Sequence, residues 1–170
     1  MGNDVPKDDP SAPDGLIDDP LTGVASRRYL ITKGERDISL ASRHGEAVSV
    51  LQFEIDEFKN IYNQNGDEVA DEMLVWVANT LKSQCRLEDV VARISGAVFA
   101  ILSPRTNAAQ ALQACTRLRA AVMERAFVHN NIRYPVSFSI GIAVYGNEAE
   151  QDIEGLLKIA ALRAAEARQH

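Results

Sequence analysis

Two apolar runs separated by a short turn, VVARISGAVFAIL at residues 90–102, decide the fold of this chain. Both runs are rich in branched and aromatic residues, which favour strands, and Ser95-Gly96 between them is a turn signal. A connection this short joins antiparallel neighbours, because parallel strands need a crossover of a dozen or more residues. The segment therefore predicts a hairpin and excludes an all-parallel sheet.

The segments on either side of the hairpin alternate between helical and strand patterns. Apolar residues at helical spacing predict four helices: 26–43, 66–84, 107–125 and a last one capped by Asp152. Alternating apolar residues predict strands over 47–55 and 135–145. On the third helix we expect Leu112 and Leu118 to face the core. The order predicts an α/β (α+β) sandwich, with helices flanking a mostly antiparallel central sheet.

Length and charge restrict the function. A chain of 170 residues fits one domain, and its net charge of -6 argues against a general nucleic-acid or anionic membrane surface. No apolar run approaches the roughly 20 residues that span a bilayer. Residues 1–17 are rich in Pro, Asp, Gly and Ser, so we expect a linker there and a folded domain over 18–170. Cys85 and Cys115 lack metal-binding spacing and are expected to be reduced, buried thiols of a cytoplasmic protein.

Four segments, in order, resemble the GGDEF family of bacterial diguanylate cyclases. They are DPLTGVASRRYL (19–30), FEIDEFKNIYNQNGDEVADEML (53–74), RISGAVFAIL (93–102) and VSFSIGIA (136–143). The third lies where the family has R-x-G-G-D-E-F, and the fourth is similar to its V-S-x-S-I-G-I-A strand. Four segments in register are a specific signal, whereas one would be weak.

The resemblance implies a palm-like fold and a place in cyclic di-GMP signalling. Active members join two GTP molecules, each held by one domain of a homodimer. Members usually carry a sensory or receiver domain, and degenerate members are commonly followed by an EAL phosphodiesterase domain. The family also continues into a final strand, yet this sequence stops at His170. We therefore expect a fragment of a multidomain bacterial protein.

The resemblance also implies that the catalytic groups are replaced. The family holds Mg²⁺ with an Asp at the end of the first strand and the acidic third residue of the hairpin motif. These positions are Glu54 and Ala97 here, and the catalytic Glu that follows is Val98. Glu54 keeps a carboxylate, but Ala97 has no ligand atom. We therefore predict no metal, no other cofactor and no cyclase activity, so that this domain is not an enzyme.

The nucleotide positions are altered as well. The Asn that reads guanine in the family aligns with Tyr62, which cannot make the paired amide contact. Asp71, the second guanine position, and Lys59, a phosphate position, are retained. Arg168 replaces a late Lys. These residues predict a vestigial nucleotide site.

A second site is better preserved. Many members have an inhibitory site for cyclic di-GMP, marked by R-x-x-D before the hairpin and an Arg on the next helix; here these are Arg86, Asp89 and Arg117. Guanidinium groups bind phosphates or stack on purines, and a carboxylate accepts the N1 and N2 protons of guanine. The alternative is that Arg86 and Asp89 form an ordinary surface pair. We expect Arg86 to be exposed, so that its replacement changes stability little.

Three functions are consistent with these positions. The first is a catalytically inactive receptor domain that binds cyclic di-GMP at Arg86, Asp89 and Arg117. The second is an interaction or dimerisation domain that binds no nucleotide, or one that senses GTP and regulates an attached phosphodiesterase. The third is an active cyclase with an unusual site.

Overall fold

The computed structural model describes residues 17–148 and 152–168. The strands are β1 (Ala25–Ser26), β2 (Val48–Ile55), β3 (Val90–Ser95), β4 (Val98–Pro104), β5 (Phe127–His129), β6 (Ile132–Tyr134) and β7 (Phe138–Tyr145). The helices are α1 (Arg27–His44), α2 (Phe58–Ser83), α3 (Ala108–Arg125) and α4 (Ile153–Arg168). Apart from residue 17, the linker predicted over 1–17 lies outside the described residues.

Five strands form the central sheet, in the order β1-β3-β4-β2-β7, and β5 and β6 form a separate hairpin. Within the central sheet β1 and β3 are parallel, and the other three pairs are antiparallel. This arrangement confirms the predicted mixed sandwich with a mostly antiparallel sheet.

Two helical layers cover the sheet because strand β2, which is paired along both edges, is apolar on both faces. Leu51, Phe53 and Ile55 of β2 belong to the core beneath α2 and α3. Val48 and Val50 belong to the core beneath α1 and α4. Side chains of a strand point alternately to opposite faces, so this one strand helps to form both cores. Among the described residues, no helix is long and apolar enough to cross a membrane.

Helix α4 lies unusually close to the sheet at Gly141 of β7. A β-carbon at this position would overlap the backbone carbonyl of Ala160 in α4. The absence of a side chain therefore sets how closely helix and strand approach. The predicted cap of α4 is confirmed, since Asp152 Oδ1 accepts the Gly155 N–H at 2.6 Å.

The structure refines two predicted boundaries. Helix α2 consists of two helical segments separated by the non-helical backbone of Gly66 (φ 84°, ψ −178°); the helix predicted over 66–84 corresponds to the second segment, and the first, which begins at Phe58, was not predicted. The hairpin turn lies at Gly96-Ala97, one residue later than predicted, because Ile94 has no partner in the register between β3 and β4. This is a β-bulge, which inserts an extra residue into one strand.

Two further differences concern α3 and the segment after it. Leu112 does not face the core and is exposed, since the buried stripe of α3 contains Ala111, one position earlier. The hairpin of β5 and β6 was not predicted. Its turn residues, Asn130 and Asn131, have φ of 50° and 64°, the left-handed conformations typical of a tight hairpin turn.

Candidate functional site

The loop between α2 and β3 places Asp89 against Arg86. Asp89 Oδ2 accepts the Arg86 backbone N–H at 2.9 Å, and Oδ1 accepts Nη2 of the guanidinium at 3.1 Å. The Asp89 N–H donates in return to the Arg86 carbonyl at 3.1 Å. The Asp89 side chain is only 6% exposed, so the carboxylate is a fixed part of the loop.

The Arg86 guanidinium also ties this loop to the one after β4. Its Nη2 donates to Thr106 Oγ1 at 2.7 Å and to the Pro104 carbonyl at 3.0 Å. Its Nη1 lies 3.5 Å from Glu88 Oε1, and the side chain is 46% exposed. The predicted surface pair is therefore present, but Arg86 is more constrained than the sequence indicated. Its orientation is fixed before any ligand arrives.

Arg117 reaches the same loop from α3. Its Nη2 donates to the Gln84 carbonyl, at the end of α2, at 3.2 Å. Cys85 is the residue after Gln84, and the charges of Asp89, Arg117 and Arg86 all affect the pKa of its thiol. The pKa of Cys85 is raised to about 12, chiefly by burial and also by the negative charge of Asp89, while Arg117 and Arg86 oppose the increase. The hydrogen bonds between Asp89 and Arg86 and from Arg117 to Gln84 bring the three residues to one loop; we call Arg86, Asp89 and Arg117 the Arg86 site.

Two more arginines surround the end of α2. Arg125 Nη1 donates to Ser83 Oγ at 2.9 Å, and Arg105 Nη2 lies 3.7 Å from Glu88 Oε1. The region thus holds four guanidinium groups near two carboxylates, on a chain whose net charge is -6. Arg125 follows Arg117 on α3 by about two helical turns, a spacing that could have identified it.

The second predicted site lies at the opposite end of strand β2. Glu54 is paired across the sheet with Val98 of β4 and Ser139 of β7. Its carboxylate accepts a hydrogen bond from Arg168 Nη1 of α4 at 2.8 Å. The backbone of Ala97 is also fixed here, because its carbonyl accepts the Ile55 N–H at 3.1 Å. Of the two positions implied for Mg²⁺, one side chain is paired with a guanidinium and the other has no ligand atom, so the two side chains do not supply the pair of carboxylates that the resemblance implies for that ion.

A neighbouring carboxylate was missed by sequence reasoning. Asp56 follows Glu54 by two residues, and its two oxygens accept hydrogen bonds from Ser137 Oγ at 2.8 Å and Ser139 Oγ at 2.6 Å. The pattern FEIDEF at 53–58 contains the signal, since it places acidic residues on alternate positions as a strand ends. Asp56 joins the beginning of α2 to strand β7.

The remaining nucleotide positions lie along α2. Tyr62 is exposed, and its pKa is raised by a hydrogen bond to the Asp67 side chain, by the charge of Asp67 and, less strongly, by Asp71. Tyr62 and Asp71 lie on opposite sides of the break at Gly66 in α2. Lys59 is exposed near the start of the helix.

Comparison with known proteins places these sites in context. The sequence matches the family described as diguanylate cyclase, GGDEF domain, over residues 17–170. It is 34% identical over 144 residues to the response regulator PleD of Caulobacter vibrioides, covering 84% of this chain and 32% of PleD. It is 32% identical over 133 residues to the diguanylate cyclase TpbB of Pseudomonas aeruginosa, covering 78% of this chain and 31% of TpbB. The chain thus spans about a third of the length of these relatives.

Two solved structures are similar to the whole domain. The GGDEF domain of TpbB from Pseudomonas aeruginosa superposes with a TM-score of 0.84 at 31% identity, covering 90% of each chain. The GGDEF domain of DgcB from Caulobacter crescentus, solved in complex with cyclic di-GMP, superposes with a TM-score of 0.83 at 20% identity, again covering 90% of each.

The prediction that this domain is not an enzyme is wrong, because the matching family and the relative TpbB are diguanylate cyclases.

Proposed function

Because the chain belongs to the GGDEF, or diguanylate cyclase, domain family, we propose that it binds cyclic di-GMP at the Arg86 site. Binding there regulates a longer signalling protein, in which 18–170 is one domain beside a sensory or EAL domain. One observation carries the proposal: Arg86 is bonded to Asp89 within one loop, and Arg117 comes from a separate helix yet donates to the Gln84 carbonyl, two residues before Arg86. The bound state of DgcB and the partial coverage of PleD and TpbB support it.

The arginines supply the attraction for the ligand. Cyclic di-GMP carries two phosphates, and guanidinium groups bind phosphate oxygens through paired N–H donors. Arg86 presents its Nη1 edge at a half-exposed surface, while Nη2 is held by three acceptors. Arg117 is exposed on the neighbouring helix. Both guanidinium groups contact the segment around the end of α2, and Arg86 Nη1 exchanges its 3.5 Å ion pair with Glu88 for a phosphate oxygen when the ligand binds.

Asp89 acts chiefly by orienting Arg86. Both of its oxygens already accept N–H groups of Arg86, and the side chain is almost buried. A ligand gains more affinity from a side chain that is already held in place, since little conformational entropy is lost on binding. Leu87, fully exposed between Arg86 and Glu88, offers an apolar surface on which a guanine base packs.

Titration calorimetry on the 170-residue chain, with cyclic di-GMP and GTP in parallel, tests this function. We expect a dissociation constant for cyclic di-GMP of a few micromolar, or about −8 kcal/mol. Arg117→Ala should weaken binding about tenfold or more, by loss of a charge-assisted hydrogen bond. The matched control is Arg119→Ala, two positions further along α3 and about 200° around its axis. Arg119→Ala should bind as the wild type does.

The outcomes separate the alternatives. Absence of cyclic di-GMP binding at about 100 µM, an affinity weaker than about −5.5 kcal/mol, would reject the receptor function. Micromolar binding of GTP alone would instead favour a GTP sensor at Lys59 and Asp71. Equal loss of cyclic di-GMP affinity in Arg117→Ala and Arg119→Ala would reject the Arg86 site as the place of binding.

A further inference from the structure

A second group of chemically active side chains lies on the outer side of α2, away from the Arg86 site. Glu68 and Glu72 of α2 and His129 of β5 each offer one ligand atom, and these three atoms lie within 4.8 Å of one another. His129 Nδ1 is 2.5 Å from Glu72 Oε2. The glutamates are one helical turn apart, so their side chains lie on the same face of the helix.

The hairpin of β5 and β6 positions His129 over the two glutamates. Phe127 is buried and packs against Trp76 of α2, with ring centroids 5.8 Å apart. His129 is two residues further along β5, hence on the same face, and Glu72 is one turn before Trp76. Phe127 and His129 are about 6.6 Å apart along β5, and Trp76 and Glu72 are about 5.4 Å apart along α2. Because these two distances are similar, His129 can contact Glu72 while Phe127 contacts Trp76. The His129 side chain is consequently only 11% exposed.

We propose that Glu68, Glu72 and His129 bind a divalent transition-metal cation, represented by Zn²⁺. An imidazole with two carboxylates is a donor set suited to Zn²⁺, whereas Mg²⁺ and Ca²⁺ prefer oxygen ligands alone. Three protein ligands leave a fourth, solvent-facing position for water in tetrahedral geometry. The metal takes the place of the hydrogen bond between His129 Nδ1 and Glu72 Oε2, with the imidazole proton on Nε2, and Glu68 supplies the third ligand atom.

The consequence is a metal-dependent clamp between the hairpin and α2. Ligand atoms around one tetrahedral Zn²⁺ lie roughly 3.4 Å apart, given metal–ligand distances of about 2.0–2.2 Å. A small change of side-chain rotamers therefore assembles the site, because its three atoms already lie within 4.8 Å. Cys85 and Cys115 do not compete for the ion, since burial raises the pKa of each thiol to about 12.

Calorimetry of the 170-residue chain with ZnCl₂, in buffer stripped of metals, tests the site. We expect one Zn²⁺ per chain and a melting temperature that rises with Zn²⁺ concentration, because the folded arrangement alone presents all three ligands. Glu68→Gln is the sharpest variant, since Glu68 is exposed and the substitution is nearly isosteric. It should weaken Zn²⁺ binding about tenfold or more, and His129→Asn should weaken it at least as much.

Two controls distinguish this site from others. His44→Asn removes an exposed imidazole at the end of α1 and should leave Zn²⁺ binding unchanged. Glu154→Gln alters an exposed carboxylate at the start of α4 and should also leave it unchanged. The proposal is overturned if the wild type shows no saturable binding below about 1 mM Zn²⁺. It is equally overturned if Glu68→Gln binds Zn²⁺ as tightly as the His44→Asn control does.

Discussion

Replacing Arg86 with alanine should destabilise the fold as well as weaken ligand binding. Nη2 of Arg86 donates to Thr106 Oγ1 and to the Pro104 carbonyl, and it neutralises the nearly buried carboxylate of Asp89. In Arg86→Ala, the backbone N–H of residue 86 remains a partner for Asp89, and Thr106 Oγ1 keeps its own hydrogen bond to Pro104. The main loss is the charged partner of a carboxylate that is 6% exposed.

The magnitude follows from these contacts. A hydrogen bond to a charged group contributes about 1.5–3 kcal/mol, and the lower half of that range applies because Arg86 is half exposed to solvent. We therefore expect a loss of about 2 kcal/mol in the free energy of unfolding. In a domain of this size, that corresponds to a decrease of about 4–8 °C in melting temperature. The sequence alone predicts little change, on the assumption of an exposed side chain.

Urea and thermal denaturation of matched variants measure this effect. Arg105→Ala removes a more exposed guanidinium whose ion pair with Glu88 spans 3.7 Å, and it should change stability by no more than about 0.5 kcal/mol. If Arg86→Ala is as stable as Arg105→Ala, the stabilising role of Nη2 is refuted. A destabilised Arg86→Ala variant would also mean that its ligand affinity must be measured well below its melting temperature.

Two further predictions concern packing and pH. Gly141→Ala should lower the free energy of unfolding by more than about 3 kcal/mol or prevent folding, because the new β-carbon would overlap the Ala160 carbonyl. Denaturation curves and expression yield measure this effect, and a variant as stable as the wild type would contradict it. Burial raises the pKa of Cys85 and Cys115 from 9.0 to about 12, so their contribution to stability is complete below pH 9 and is lost as pH rises from about 9 toward 12. In a double variant with Cys85→Ser and Cys115→Ser, the free energy of unfolding should fall less steeply over that pH range. An equally steep fall would refute the contribution of the two thiols to the pH dependence.

Sequence reasoning succeeded where local periodicity and core packing coincide. The helix predicted over 66–84 is present in α2, because apolar residues such as Met73 and Val77 recur every three to four positions and are buried in the core. The hairpin of β3 and β4 was predictable from its two apolar runs and the intervening glycine. Its turn was placed one residue early, because the bulge at Ile94 depends on pairing that spacing alone does not reveal.

The sequence predicted that Arg86, Asp89 and Arg117 form one site, but it did not predict the contacts that these side chains make. Arg86 and Asp89 are three positions apart, so their pairing could be anticipated. The bond from Arg86 to Thr106 spans 20 positions, and the bond from Arg168 to Glu54 spans 114. Such contacts depend on the tertiary fold. The hairpin of β5 and β6 escaped prediction because each strand has only three residues.

The pairing of β2 also has a consequence during synthesis of the chain. Strand β2 pairs with β4, and then with β7, whose Tyr145 lies opposite Val48. A ribosome adding about 5–20 residues per second needs roughly 5–20 s to synthesise the chain from β2 to β7. Throughout that interval one edge of an apolar strand lacks its native neighbour, a condition that favours aggregation. Slower translation between β4 and β7 should therefore lower the yield of folded protein, and chaperones that shield exposed strands should restore it.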